Sequence, residues 1–89
     1  MIEPAAQAGH ARELYVRHAL LNGRSVVLLR AVDQGDHCVV EAQVWPKGAA
    51  AEEPVRPGPY RFTSAVEATR FVTHAVEALI ALGCDVRAS

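Results

Sequence analysis

Few residues in this 89-residue chain could carry bond-making chemistry, and their spacing limits what they can do. His37 stands beside Cys38, a pairing that a thiolate nucleophile or a metal site would use. Adjacent residues on a strand point to opposite faces, so these two cannot meet unaided. The cysteines, Cys38 and Cys84, sit in no Cys-x-x-Cys pattern, and no His-x-x-x-His spacing of the zinc-binding kind occurs. Cys38 reads as a small core residue, and Cys84, just past a helix, reads the same way. His18 reads as a satisfied histidine on the inward face at the core's edge, with a ligand role as the sharper alternative. His74, between Arg70 and Glu77, reads as part of a solvated charge cluster. There is no Gly-rich phosphate loop and no carboxylate pair of defined geometry, so no catalytic, metal or cofactor residue is assigned.

Recognition is the other chemistry to consider. Eight of the nine cations are Arg, Lys47 being the exception. This favours planar hydrogen bonding or reflects a bacterial-like composition. If the strands alternate regularly, Tyr15, Arg17, Arg24, Val26, Leu28, Arg30, Val39, Gln43, Trp45 and Arg61 collect on one sheet face. Arginines interleaved with aromatics can follow a nucleic-acid backbone and stack bases. Glu13 and Glu41 fall on the same face and weaken that field. Val26, Leu28, Val39 and Trp45 would form an apolar patch too large to leave wet. Contact between two copies, or cover by a long loop, is the plainer reading.

The elements that must position these residues start with a helix over 64–83. Ser64-Ala65-Val66-Glu67 is a capping box, in which the serine hydroxyl accepts from the Glu67 N–H and the glutamate reaches back. Ala68, Phe71, Val72, Ala75, Val76, Leu79 and Leu82 then recur at three- and four-residue steps, with polar residues opposite. Gly83 stops the helix. Ala78 and Ile80 widen the apolar face beyond what contact with one sheet requires, which hints at a second partner.

Arg24 to Val32 is a β-branched run that reads as a strand, Asp33 to Asp36 as a turn, and His37 to Trp45 as a second strand ended by Pro46. In that second strand Cys38, Val40, Ala42 and Val44 share one face. Glu13 to Leu21 can be a strand or a helix, and the Asn22-Gly23 hairpin signal favours the strand. Residues 46–59 hold four prolines, so they form a long connection rather than a regular element. Tyr60 to Thr63 is a short strand, and Cys84 to Arg87 can add a last extended segment.

The expected fold class is therefore α+β: an antiparallel meander of three to five strands with one long C-terminal amphipathic helix on one face. The length fits one domain over 1–89, with 1–9 as a frayed tail. Met1 to Gly9 has no Lys, Arg or apolar run, so it does not read as a secretory signal. No apolar stretch reaches membrane-spanning length. Two cysteines make no disulfide framework, and a reduced cytoplasmic setting is expected. The net charge of −1 counts against a general nucleic-acid or anionic-membrane binder.

Four meander strands followed by a long helix is similar, as topology over most of the chain, to the repeat of PUR- and Whirly-type single-strand nucleic-acid-binding proteins. That resemblance carries over no binding residues, and the balanced charge departs from it. The leading expectation is a non-enzymatic homodimeric interaction module. Its alternatives are a single-strand nucleic-acid binder using Arg17, Arg30, Trp45 and Arg61, and a small-ligand protein or enzyme with His18 or His37 under the Pro-rich loop as lid.

Overall fold

The computed structural model describes residues 11–46 and 53–88. The tail expected at 1–9 and residues 47–52 of the Pro-rich connection lie outside them.

β1 (Arg12–Leu21) and β2 (Arg24–Asp33) form the first hairpin. Asn22 and Gly23 adopt φ of 54° and 80°, the left-handed pair that a two-residue hairpin turn needs to match strand twist. The strand reading of 13–21 therefore holds over the helical one. The next turn is tied by the Gly35 N–H donating to Asp33 Oδ1 and the Gln34 N–H donating to the His37 carbonyl, both at 2.8 Å. β3 (Cys38–Val44) leaves it, followed by β4 (Tyr60–Phe62), the helix α1 (Ala65–Ala81) and β5 (Asp85–Ala88). The strands make one antiparallel sheet in the order β4-β3-β2-β1-β5, so the last segment pairs with the first strand. This is the α+β architecture read from the pattern.

The helix caps follow the sequence signals with one shift. Ser64 Oγ accepts from the Glu67 N–H at 3.2 Å. The reciprocal arm lands one residue earlier than in the usual box. Glu67 Oε1 accepts from the Thr63 N–H at 3.2 Å and from the Thr63 hydroxyl at 2.8 Å. At the other end the Gly83 N–H donates to the Ile80 carbonyl and the Cys84 N–H to the Leu79 carbonyl, at 2.9 and 3.0 Å. That double bond closes the last turn on a left-handed glycine.

α1 crosses the sheet and touches all five strands. Ala68 and Val72 meet Leu29, Ala31, Cys38, Val40 and Ala42, with Tyr15, Phe62 and Phe71 among the side chains packed round them. Of the ten buried apolar residues among those described, four are Ala and one is Cys38, so backbones approach closely while little apolar volume is enclosed. Phe71 lies 5.0 Å from Tyr60 and 5.3 Å from Phe62 between ring centroids, tilted against each. These contacts fasten the short edge strand to the helix. The extra width of the helix stays uncovered: Ala78 is exposed, Ile80 is 56% exposed and Leu82 75%. Leu79, in the middle of the expected core face, is only half-buried.

Two outcomes follow. Val40 is the largest fully buried side chain, so Val40→Ala should cost roughly 2 kcal/mol in urea unfolding, at least as much as the larger truncation Leu79→Ala at about 1 to 2 kcal/mol. A clearly greater loss at Leu79 would show a tighter helix–sheet contact there. Hydrogen bonds from Thr63 also hold the Glu67 carboxyl below its ordinary value. A carboxyl lowered in the folded state adds stability above the ordinary carboxylate range and loses it as pH falls through the folded pKa. Urea midpoints should fall further between about pH 5 and about pH 3 in the wild type than in Glu67→Gln. Parallel falls would exclude the cap as the source.

Candidate functional site: the open face of the sheet

Pairing and alternation fix what each face of the sheet carries. The face under α1 presents Leu29, Ala31, Val40 and Ala42. On the opposite face the cross-strand partners are Val32 with Val39, Leu28 with Gln43, Arg30 with Glu41, and Val39 with Arg61. β1 contributes Glu13 opposite Val32, Val16 opposite Arg30 and His18 opposite Leu28. No described element packs over this second face.

Of the residues expected to share one face, Leu28, Arg30, Val39 and Arg61 do, and Trp45 prolongs it. The Trp45 N–H donates to the Val26 carbonyl at 2.9 Å, continuing the β2–β3 ladder past the end of β3. Tyr15 and Arg17 do not belong there. Tyr15 lies opposite Ala31 and Arg17 opposite Leu29, on the helix side. The Tyr15 hydroxyl lies 2.9 Å from Thr69 Oγ1 of α1, and the Arg17 guanidinium sits 4.9 Å from the Tyr15 ring centroid.

The cause is a pair of register shifts in the first hairpin. Val26 is an extra residue on β2 between the pairs Ala19–Val27 and Leu20–Ser25. Leu14 is an extra residue on β1 between Glu13–Val32 and Tyr15–Ala31. Each bulge moves the pairing by one residue, and one residue exchanges faces. The two shifts cancel at the ends of the hairpin but invert residues 15–19. Val16 and His18, expected inward, therefore face outward.

On this face apolar side chains surround a charged group at Arg30, part-way along the central strand. Val16 and Val32, beside that group, are 8% and 4% exposed although no described helix covers them. Leu28, Val39 and Trp45 around them are half-buried. Arg30 bridges the carboxylates of Glu13 and Glu41 through its Nε at 2.8 Å and its NH1 at 2.7 Å. Those bonds, first to Glu13 and then to Glu41, push the guanidinium's pKa up. One cation held by two carboxylates leaves the group with a net negative charge. His18 Nε2 lies 2.8 Å from Ser25 Oγ on the same side.

The other chemistry-bearing residues stay apart. His37 Nδ1 lies 2.6 Å from Asp36 Oδ1 in the exposed turn, a bond that lowers the Asp36 carboxyl. Cys38 is 3% exposed, and burial pushes its thiol up, which disfavours the reactive thiolate. Cys84 is a free, half-buried thiol. Arg70, His74 and Glu77 are exposed on the helix, in keeping with a solvated face. Among the described residues no group of three His, Cys, Asp or Glu is placed to hold a metal ion. None of the described helices is long and apolar enough to cross a membrane.

That Glu13 and Glu41 offset the arginine charge on the open face was legible in their positions. The outward turn of Val16 and His18 was not, because neither Leu14 nor Val26 carries a bulge signal such as Gly. Compared with protein-family models, with curated proteins and with solved structures, the chain matches none of them.

Proposed function

We propose that this protein is a non-catalytic association module in which two copies meet through the open faces of their sheets. The observation that carries the reading is the apolar content of that face: Leu28, Val39 and Trp45 are only half-buried, beside Val16 and Val32, with no described helix over them. Apolar side chains left partly open together on one face suit a contact surface. Its size fits. Strands about 4.8 Å apart, rising about 3.3 Å per residue, give a face of about 500 Å² in projection. A corrugated surface of that extent approaches the roughly 800 Å² per partner of a standard interface.

A second copy fits better than an unrelated partner because the charges on the face are self-complementary. A two-fold axis parallel to the strands and between β2 and β3 lays β4 of one copy over β1 of the other. Arg61, exposed on β4, then approaches Glu13 of the second copy and the net negative charge round Arg30. Energetics favour the same reading, since a core of small side chains leaves a short chain marginally stable and association adds burial. Free thiols fit the reduced, cytoplasmic setting expected for such a module. The nucleic-acid reading loses support. Arg17 lies on the helix side and Arg30 is engaged by two carboxylates, so few free cations remain to track a phosphate backbone.

Light scattering on the eluting peak should give twice the 9.6 kDa chain mass at micromolar concentration. Leu28→Asp should elute as a folded monomer with unchanged far-ultraviolet dichroism, and Gln43→Arg, at a polar position that spares the core, should weaken the dimer. A monomeric wild type at high micromolar concentration would overturn the proposal, as would a dimer indifferent to both changes. Salt-sensitive quenching of Trp45 by an oligonucleotide would favour the nucleic-acid alternative instead.

A further inference from the structure

The β3 edge carries a second feature, adjoining the open face at Glu41 and Gln43. β4 pairs with β3 only as far as Val40–Tyr60, and the ladder resumes at Val44, which exchanges two hydrogen bonds with Val55 at 2.8 and 2.7 Å. Between these points three residues of β3 face four residues of the connection, Arg56 to Pro59. Those four cannot complete the ladder. Pro57 and Pro59 have no N–H to donate. Gly58 adopts φ +81°, where an added Cβ would lie 2.9 Å from the Tyr60 nitrogen, so the chain is held in a bend that only glycine fits.

The consequence falls on Ala42. Even-numbered residues of β3 turn their backbone groups toward β4, as Val44 does, while odd-numbered ones turn to β2, as Trp45 does. The N–H and C=O of Ala42 therefore point into the gap, and among the described residues neither has a hydrogen-bond partner. Ala42 is 7% exposed as a residue, but its donor and acceptor stand side by side facing a half-open gap, where a bound group would replace water. The gap is a cavity of about 320 Å³ lined by Glu41, Ala42, Gln43, Arg56, Pro57 and Pro59, at the lower end of the range for small-molecule sites. Arg56 makes no ion pair with a described residue, whereas Glu41 is held by Arg30.

We infer that this notch is a binding site for a small carboxylate-bearing amide, such as an N-acyl amino acid or the last residue of a peptide. One amide unit in extended conformation supplies both the acceptor and the donor that Ala42 lacks, as one rung of a β-ladder. The carboxylate pairs with Arg56, the exposed cation of the lining, in a charge-assisted bond. The prolines form the apolar walls. No covalent step is involved.

The test is a titration of the ¹⁵N-labelled protein with N-acetylglycine, followed by amide shifts, with acetate and N-methylacetamide as the two halves of the probe. The Ala42 amide should move saturably with N-acetylglycine and several-fold less readily with either half. Arg56→Ala should weaken binding roughly tenfold, the loss of one charged hydrogen bond, without altering unfolding midpoints. Absence of a saturable shift at tens of millimolar would overturn the inference, leaving a notch filled by water only. An Arg56→Ala variant that binds equally well would overturn it too. The same titration on monomeric Leu28→Asp separates this site from the association surface, since the shifts persist whether or not copies pair.

Discussion

The close seam between α1 and the sheet governs what the rest of the molecule can be. Ala68 and Val72 sit directly on Ala31, Val40 and Ala42, and side chains this small let a helix lie near the strands at the cost of enclosed apolar volume. Dispersion contacts at such a seam are dense but few. The helix is fastened in its first half, where Phe71 also grips Tyr60 and Phe62, and its second half stays on the sheet through Ala75 and Val76, with Ile80 and Leu82 exposed. Caps at both ends compensate by satisfying the terminal backbone groups locally.

The two faces of the sheet differ in kind. Beneath the helix lie Leu29, Val40, the alanines and the buried thiol, with Tyr15, Phe62 and Phe71 packed round them. The open face mixes Val16, Leu28, Val32 and Val39 with Glu13, Arg30, Glu41 and Arg61. An open face ordinarily carries the polar residues, so the apolar side chains among these charges are what favour the self-association proposal. The net negative group built on Arg30 removes a cation from any phosphate-tracking role.

Much of this architecture was legible in the residue pattern because local chemistry specified it. The Ser64 cap, the Gly83 stop, the Asn22-Gly23 turn and the alternation of Cys38, Val40 and Ala42 are all short-range signals, and each element they bound is present. The final pairing of residues 85–88 with β1 was open in the sequence, since nothing in Asp85 to Ala88 names its partner. The facing of β1 was misread for a different reason. Periodicity reports which residues alternate, and a bulge changes which set is up without altering the composition of either. Two cancelling bulges leave the turn and the strand ends in place, so Tyr15 and Arg17 changed sides with no trace in the pattern. The notch at Ala42 was equally hidden, because it depends on how four residues of a proline-rich segment fail to match three of a strand.

The order of strands in the sheet has a consequence for how the chain is made. β1 is synthesised first yet lies between β2 and β5, and β5 emerges only after the helix and every other strand. Throughout translation one flank of β1 offers unpaired backbone groups beside Leu20 and Leu21, a template for strands of neighbouring nascent chains. Asp85 to Ala88 close that flank. Ribosomes spaced along one message would thus hold several copies with adhesive edges near one another. The arrival of these four residues determines whether each copy seals itself or joins its neighbour.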